Sequence, residues 1–171
     1  MDTWDAITSR RQVRSFTDQT IPAAVLGRIL DGARLSPSGS NRQPWDFVVV
    51  SDPEQKKRLS AVWKGAAFTA GAANVVAMVQ PLVEDEARVQ MNRFDLGQAA
   101  LQLTVVAADQ GIGSGLAACR DQELAREVLG LPDDRFVAIL VALGYPADRP
   151  IAPITNLDRR PFDEVVHFDR W

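Results

Sequence analysis

Apolar residues recur at helical spacing over Val25, Leu26, Ile29, Leu30 and Ala33, which predicts a helix with one buried face. Thr20 and Pro22 sit where such a helix would start, and Pro37 stops it from continuing. Short unbroken apolar runs at 47–50, 74–79 and 136–143 read as strands covered on both faces. A short helix is expected from about 4 to 11, with Ile7 on its apolar side. Another begins at Asp52-Pro53, where Asp52 is the natural N-cap and Leu59, Val62 and Trp63 turn inward. The longest helical period runs from about 86 to 110, carries Phe94, Leu101, Val105 and Ala108, and stops at Gly111. Residues 113–119 are small and read as a thin strand or connector, and Asp121 caps a last helix that ends at Gly130. After Pro150 the helical period is lost.

Between the first long helix and the first strand lies Ser36-Pro37-Ser38-Gly39-Ser40-Asn41-Arg42-Gln43-Pro44-Trp45. Hydroxyls, amides and a glycine without a side chain let such a backbone approach a flat polar ligand closely. An ordinary surface loop anchored by a tryptophan has the same composition. Upstream, Arg10, Arg11 and Arg14 cluster at the end of a helix. They read either as a solvated basic face or as a phosphate clamp, because guanidinium forks match phosphate oxygens. At a helix end, side chains and not the helix dipole would have to hold the anion.

The chain of 171 residues is long enough for one domain with a real core. A net charge of −3 without basic stripes argues against a nucleic-acid surface, and the apolar runs are too short for a membrane span. The first residues show no charged-then-apolar export signal, and a single cysteine, Cys119, suits a reducing cytoplasm. The one histidine, His167, lies in the final stretch, so a His/Cys metal site or a Ser–His–Asp triad is not expected. An enzyme of this composition would borrow its reactive group from a cofactor. The tail places Val165, Val166, Phe168 and Trp171 where a lone monomer has few places to bury them, so an arm wrapping a partner competes with a tail packed on its own domain.

The loop resembles the Ser-Pro-Ser-x-x-Asn-x-Gln-Pro-Trp signature of the nitroreductase family of FMN-dependent oxidoreductases. Further segments fit the family in order: Ser9-Arg10-Arg11-Gln12-Val13-Arg14-Ser15-Phe16, Asp95-Leu96-Gly97-Gln98-Ala99-Ala100 through Gly111-Ile112-Gly113-Ser114, Ala142-Leu143-Gly144-Tyr145-Pro146, and Arg159-Arg160-Pro161-Phe162. The resemblance covers essentially the whole chain. It implies an α+β fold with a central mixed, mostly antiparallel sheet flanked by helices. It also implies a single domain over 1–171 whose C-terminal arm, about 155–171, embraces the partner of a homodimer, with the central helix forming much of the interface.

The same resemblance implies FMN at the subunit interface. Arg10, Arg11 and Gln12 would serve the phosphate or ribityl chain, Arg14 the N1/O2 edge of the ring, and Arg159 or Arg160 a second phosphate contact. Pro37, Ser38, Gly39, Asn41 and Gln43 would come from the other subunit, and backbone near Ala117 and Ala118 would meet N5. NADH or NADPH would reduce the flavin in a ping-pong cycle that passes electrons to a small acceptor such as a nitroaromatic or quinone. Dehydrogenation, dehalogenation, flavin breakdown, or flavin binding without turnover are alternatives on the same fold. Gln12 stands where the family usually has serine, and the short 80–92 segment implies an open site.

Overall fold

A computed structural model describes residues 1–171. Five helices and four strands alternate along it: α1 (Thr3–Ser9), α2 (Ala23–Arg34), β1 (Asp46–Val50), α3 (Pro53–Ser60), β2 (Asn74–Pro81), α4 (Glu86–Asp109), β3 (Gly113–Ala117), α5 (Gln122–Leu129) and β4 (Arg135–Gly144). Local chemistry sets several boundaries where the sequence places them. The Asp52, Asp85 and Asp121 side chains accept the backbone N–H groups of Gln55, Arg88 and Leu124, capping α3, α4 and α5. Gly130, left-handed at φ 64°, ends α5. The inward-facing α3 segment ends early, and the chain continues from Lys64 to Gly71 as 3₁₀ turns.

The sheet runs β1-β2-β4-β3, every pair antiparallel. Outside β3, Gln12 makes a parallel bridge to Ser114, so the sheet is mixed but mostly antiparallel, as the resemblance implies. The central strand β2 is buried from Asn74 to Gln80 because helices lie on both faces. Val76 and Met78 turn to one side and pack with Val141 and Leu143 against Ile29 and Ala33 of α2 and Leu96, Ala99, Leu103 and Ala107 of α4. Val75, Ala77 and Val79 turn to the other, against Leu59, Val62, Ala66, Ala125 and Val128. Small residues let α2 and α4 close on one another, and a Cβ at Gly32 would lie 2.7 Å from Val106 Cγ2.

Two expectations about faces are corrected. Phe94 and Leu101 on α4 are 66% and 57% exposed, and Ile7 on α1 is 49% exposed. The face that α4 buries instead carries Asn92, Asp95, Leu96, Ala99, Ala100, Leu103, Thr104 and Ala107. The helix has apolar residues on two sides, and the outward stripe Met91, Phe94 and Leu101 is 46–66% exposed in the monomer. No helix is long and apolar enough to cross a membrane.

Beyond residue 154 the chain leaves the body. Ile151 is buried beside Val13 and Ala108, and Ile154 N donates to Thr8 O at 3.2 Å. From 155 to 171, every hydrogen bond stays within the segment. Phe168 and Trp171 are 77% and 99% exposed, so the tail does not pack on its own domain.

Candidate functional site

A cleft of about 500 Å³ opens between α4 and the β3–β4 side of the sheet. Small-molecule sites typically measure roughly 300–1,000 Å³. Leu116 of β3 and Phe136, Ala138 and Ile139 of β4 form one wall; Leu96, Gly97, Ala100 and Leu101 of α4 form the other. The pairing of β2 with β4 shifts register here. Met78 opposes Ile139 and Val79 opposes Val137, leaving Ala138 as the extra residue of a bulge. Ala138 and Ile139 consequently both line the cleft. Buried Gln80 closes its floor, its Nε2 donating to Asn92 O at 2.6 Å.

With Arg93 of α4, Arg10 brings charge to this largely apolar cleft. It follows the last residue of α1 and is half-buried, and its guanidinium makes one long hydrogen bond, Nε to Thr104 Oγ1 at 3.4 Å. Its remaining donors are free for an anion. The three arginines read from sequence as one cluster are pulled apart by the fold. Arg11 grips Asp148 with two bonds of 2.7 and 2.9 Å and donates to Arg149 O at 2.8 Å, fastening the chain after β4. It is a staple and not a free anion ligand. Arg14 is exposed and lies over the Phe68 ring, 5.8 Å from its centroid.

The Arg11 contact holds the Asp148 carboxyl down to about 2, chiefly through its hydrogen bond, with a backbone bond from Arg149 adding to it. The folded value lies below the ordinary one near 4. The pair therefore stabilises the fold above about pH 4, and the contribution is lost as pH falls toward 2. Acid unfolding followed by circular dichroism should show a shallower slope between about pH 4 and 2 in Asp148→Asn than in the wild type. Equal slopes would show that the staple does not couple to folding.

Gln12 is also committed within the chain. Its Nε2 donates to Leu116 O at 2.7 Å, and the neighbouring Val13 N donates to Ser114 O at 2.9 Å. These bonds lay residues 12–13 along β3, so Gln12 holds the floor beneath Arg10 and Arg14. Ala117, at the end of β3, turns to the opposite face of the sheet, and Ala118 just beyond it is exposed. The neighbouring Cys119 thiol is pushed up to about 11 by burial and by Asp121, so it is not a ready nucleophile.

The signature loop is tightly wound. Ser40, Asn41 and Gln43 have φ of 53°, 54° and 50°, a left-handed region that costs non-glycine residues energy. The loop closes on itself: Gln43 N donates to Ser38 Oγ at 2.9 Å, and Gln43 Nε2 to Asn41 O at 3.1 Å. Gly39 N donates to Asp95 Oδ2 at 3.1 Å, and Trp45 is buried, stacked with Phe47 at 6.5 Å between centroids. The loop is thus tied to the middle of α4 at Asp95, with Pro37 and Asn41 exposed and Ser38 and Gly39 half-buried, while Arg10 meets the same helix at Thr104. Within one chain the loop makes no bond to Arg10, Gln12 or Arg14. Arg159 and Arg160 stay in the tail, on Asp158 O and on Glu164, and are not brought to Arg10 either.

Asp95 was legible in sequence only as part of a motif, and its role as the loop's anchor appears only in the fold. A carboxylate on the buried face of a helix is itself a signal, because such a group needs a donor. Hydrogen bonds to charged groups contribute about 1.5–3 kcal/mol. Asp95→Ala should therefore speed amide exchange or proteolytic nicking at 38–43 by roughly ten- to a hundredfold, with little change at the core strands. Unchanged exchange in the loop would remove Asp95 from that role. Gln80 and Phe136 were likewise not singled out, although Gln80 is a polar residue ending an apolar run.

Comparison with known proteins agrees with this architecture. The model of the nitroreductase family matches residues 7–84 and 61–145. A relative from Archaeoglobus fulgidus, named as an NADH dehydrogenase/NAD(P)H nitroreductase, is 31% identical over 170 residues, covering 96% of each chain. A Thermus thermophilus protein named NADH dehydrogenase is 30% identical over 199 residues, covering 97% of this chain and 95% of its own. The solved structure of an FMN-dependent nitroreductase from Clostridium difficile R20291 superposes with a TM-score of 0.83 at 24% identity, over 97% of this chain and 99% of that one.

Proposed function

Because the chain belongs to the nitroreductase family, we propose that it is an FMN-dependent oxidoreductase that moves reducing equivalents from NADH or NADPH to an electron-poor acceptor such as a nitroaromatic or quinone. The observation that carries this reading is Arg10: a half-buried guanidinium with free donors in a cleft walled by apolar side chains. A flavin mononucleotide asks for that donor set, a fixed cation for its phosphate and an apolar slot for its ring, and the residues fit.

Arg10 would hold the phosphate. Arg14, seated on Phe68, keeps a positive charge beside the same stretch of β3. Leu116, Phe136, Ala138 and Ile139 keep water from the slot. The chemistry that bound FMN supplies is two-electron transfer in alternation, hydride in from the nicotinamide and electrons out to the acceptor. No side chain needs to serve as an obligatory acid or base, and solvent can provide the protons. Pro37, Ser38, Gly39 and Asn41, on the loop held at Asp95, would reach the cofactor of a second copy.

A homodimer is part of the proposal. Residues 1–171 would act as one domain, with 155–171 as an arm on the partner. Support comes from Phe162, Val165, Phe168 and Trp171, exposed in the monomer. Each would contribute about 1.5–3 kcal/mol on burial. The exposed Met91, Phe94 and Leu101 stripe on α4 offers a second surface for the same association. The single cysteine suits a cytoplasmic setting.

The absorption spectrum of the purified protein and its mass in solution test cofactor and dimer together. Anaerobic mixing with NADH or NADPH should bleach the flavin band. A flavin that neither donor bleaches would overturn the reductase reading.

A further inference from the structure

At the far end of the groove from Arg10 lies a second concavity of about 440 Å³ that the scheme above does not use. Arg42 of the signature loop, Arg88 of α4 and Arg135 of β4 line it, together with Trp45 and Asn92. Arg42 and Arg88 make no ion pair and no side-chain hydrogen bond, although the chain as a whole carries a charge of −3. The carboxylate in the lining, Asp46, faces Arg135 at 3.5 Å, and Asp134 holds the same guanidinium at 2.6 Å. Arg135 is thereby fixed in place while the other two stay available.

The concavity is continuous with the main cleft. An intervening depression shares Asn92, Pro81 and Val83 with it and shares Gln80, Arg93 and Phe136 with the Arg10 cleft. From Thr104, beside Arg10, to Arg88 the groove follows α4 for about 24 Å. An elongated ligand lying in it would have its reactive end at the mouth of the apolar slot and its far end among three guanidiniums.

We infer that Arg42 and Arg88 form a phosphate subsite for the far end of the reductant, the 2′-phosphate that distinguishes NADPH from NADH. This rests on the oxidoreductase reading and goes beyond it by choosing the donor. A phosphate monoester carries a charge between about −1.5 and −2 at neutral pH and three strong acceptor oxygens. Paired guanidiniums match such a group better than a ribose hydroxyl, which leaves them unpaired. Free inorganic phosphate shares the chemistry but not the adenosine.

Calorimetric titration of the purified protein with 2′,5′-ADP, with 5′-AMP and with inorganic phosphate separates these sources. The bisphosphate should bind at least tenfold more tightly than either of the others, and the advantage should vanish in the Arg42→Gln/Arg88→Gln double variant. In turnover, the same variant should raise KM for NADPH tenfold or more and leave kcat and KM for NADH unchanged. Arg42→Lys/Arg88→Lys should recover part of the NADPH preference. Equal affinity for all three probes, an advantage that survives the double variant, or equal KM changes for both donors would overturn the subsite. Calorimetry reads the subsite even in protein that takes up no FMN, so failure of the redox reading is seen separately in the flavin spectrum.

Discussion

On the FMN reading proposed above, replacing Arg10 with alanine should weaken cofactor binding and leave the fold standing. Within the chain the Arg10 guanidinium makes only the 3.4 Å contact to Thr104 Oγ1, a bond too long to contribute much to stability. The unfolding free energy of the apoprotein should therefore change by less than about 0.5 kcal/mol. Binding is another matter, because a half-buried guanidinium facing a phosphate makes charge-assisted hydrogen bonds in an apolar cleft. Losing it should cost about 2–3 kcal/mol, a rise in Kd of roughly 30- to 150-fold. Fluorescence titration of the apoprotein with FMN measures this directly, and Arg10→Lys should fall between the two because it keeps the charge but not the fork. Wild-type affinity in Arg10→Ala would remove the phosphate from this cleft. The same substitution at Arg11 should behave differently, loosening the 148–149 segment before it touches binding.

Gly115→Ala should do the reverse and damage the fold first. A Cβ at this position would meet the backbone carbonyl of Val13, and it would lie 2.6 Å from the Phe68 ring edge. Neither neighbour can swing away as the tip of a flexible side chain would. Val13 N is bonded to Ser114 O, and the Gln12 amide to Leu116 O, so residues 12–13 lie flat across β3. One added methyl must lift that strand, breaking bonds on both sides of it. Overpacking together with a lost hydrogen bond should cost about 2–4 kcal/mol in urea unfolding. Cofactor affinity should fall as well, because Arg10 and Arg14 flank the displaced strand. Gly97→Ala supplies the opposite sign: a Cβ there meets nothing within 4 Å, and alanine is about 0.8–1.0 kcal/mol better than glycine inside a helix. If both substitutions shifted stability equally, the close approach over Gly115 would not be what makes the site glycine-dependent.

These two variants divide the site into what binds and what supports, a division that residue types alone do not reveal. Arg10 and Arg11 are adjacent and chemically identical, yet one lines the cleft and the other fastens the chain after β4. The difference depends on Thr104 and Asp148, more than ninety residues away. Gln12 has the donors of a phosphate ligand, but a carbonyl from β3 takes one of them. Asp95 looks like one more polar residue on a long helix until Gly39 is found against it. Arg42 is an unremarked position of the signature loop until Arg88 and Arg135 are seen beside it.

Helix caps, strand runs and the long α4 were legible because each rests on contacts within a few residues: a carboxylate accepting the N–H three positions on, a 3.6-residue period, a run of β-branched side chains. The ordered motifs likewise carry the family resemblance in the sequence itself. Which apolar face of α4 turns inward was not legible, since periodicity tells which residues share a face but not what lies opposite it. The fold chose the alanine-rich face because α2 and the sheet approach closely there, and it left Phe94 and Leu101 more than half exposed. Likewise the Ala138 bulge, the separation of the arginines and the departure of the tail after residue 154 arise from pairings far apart in the chain, which no local pattern encodes.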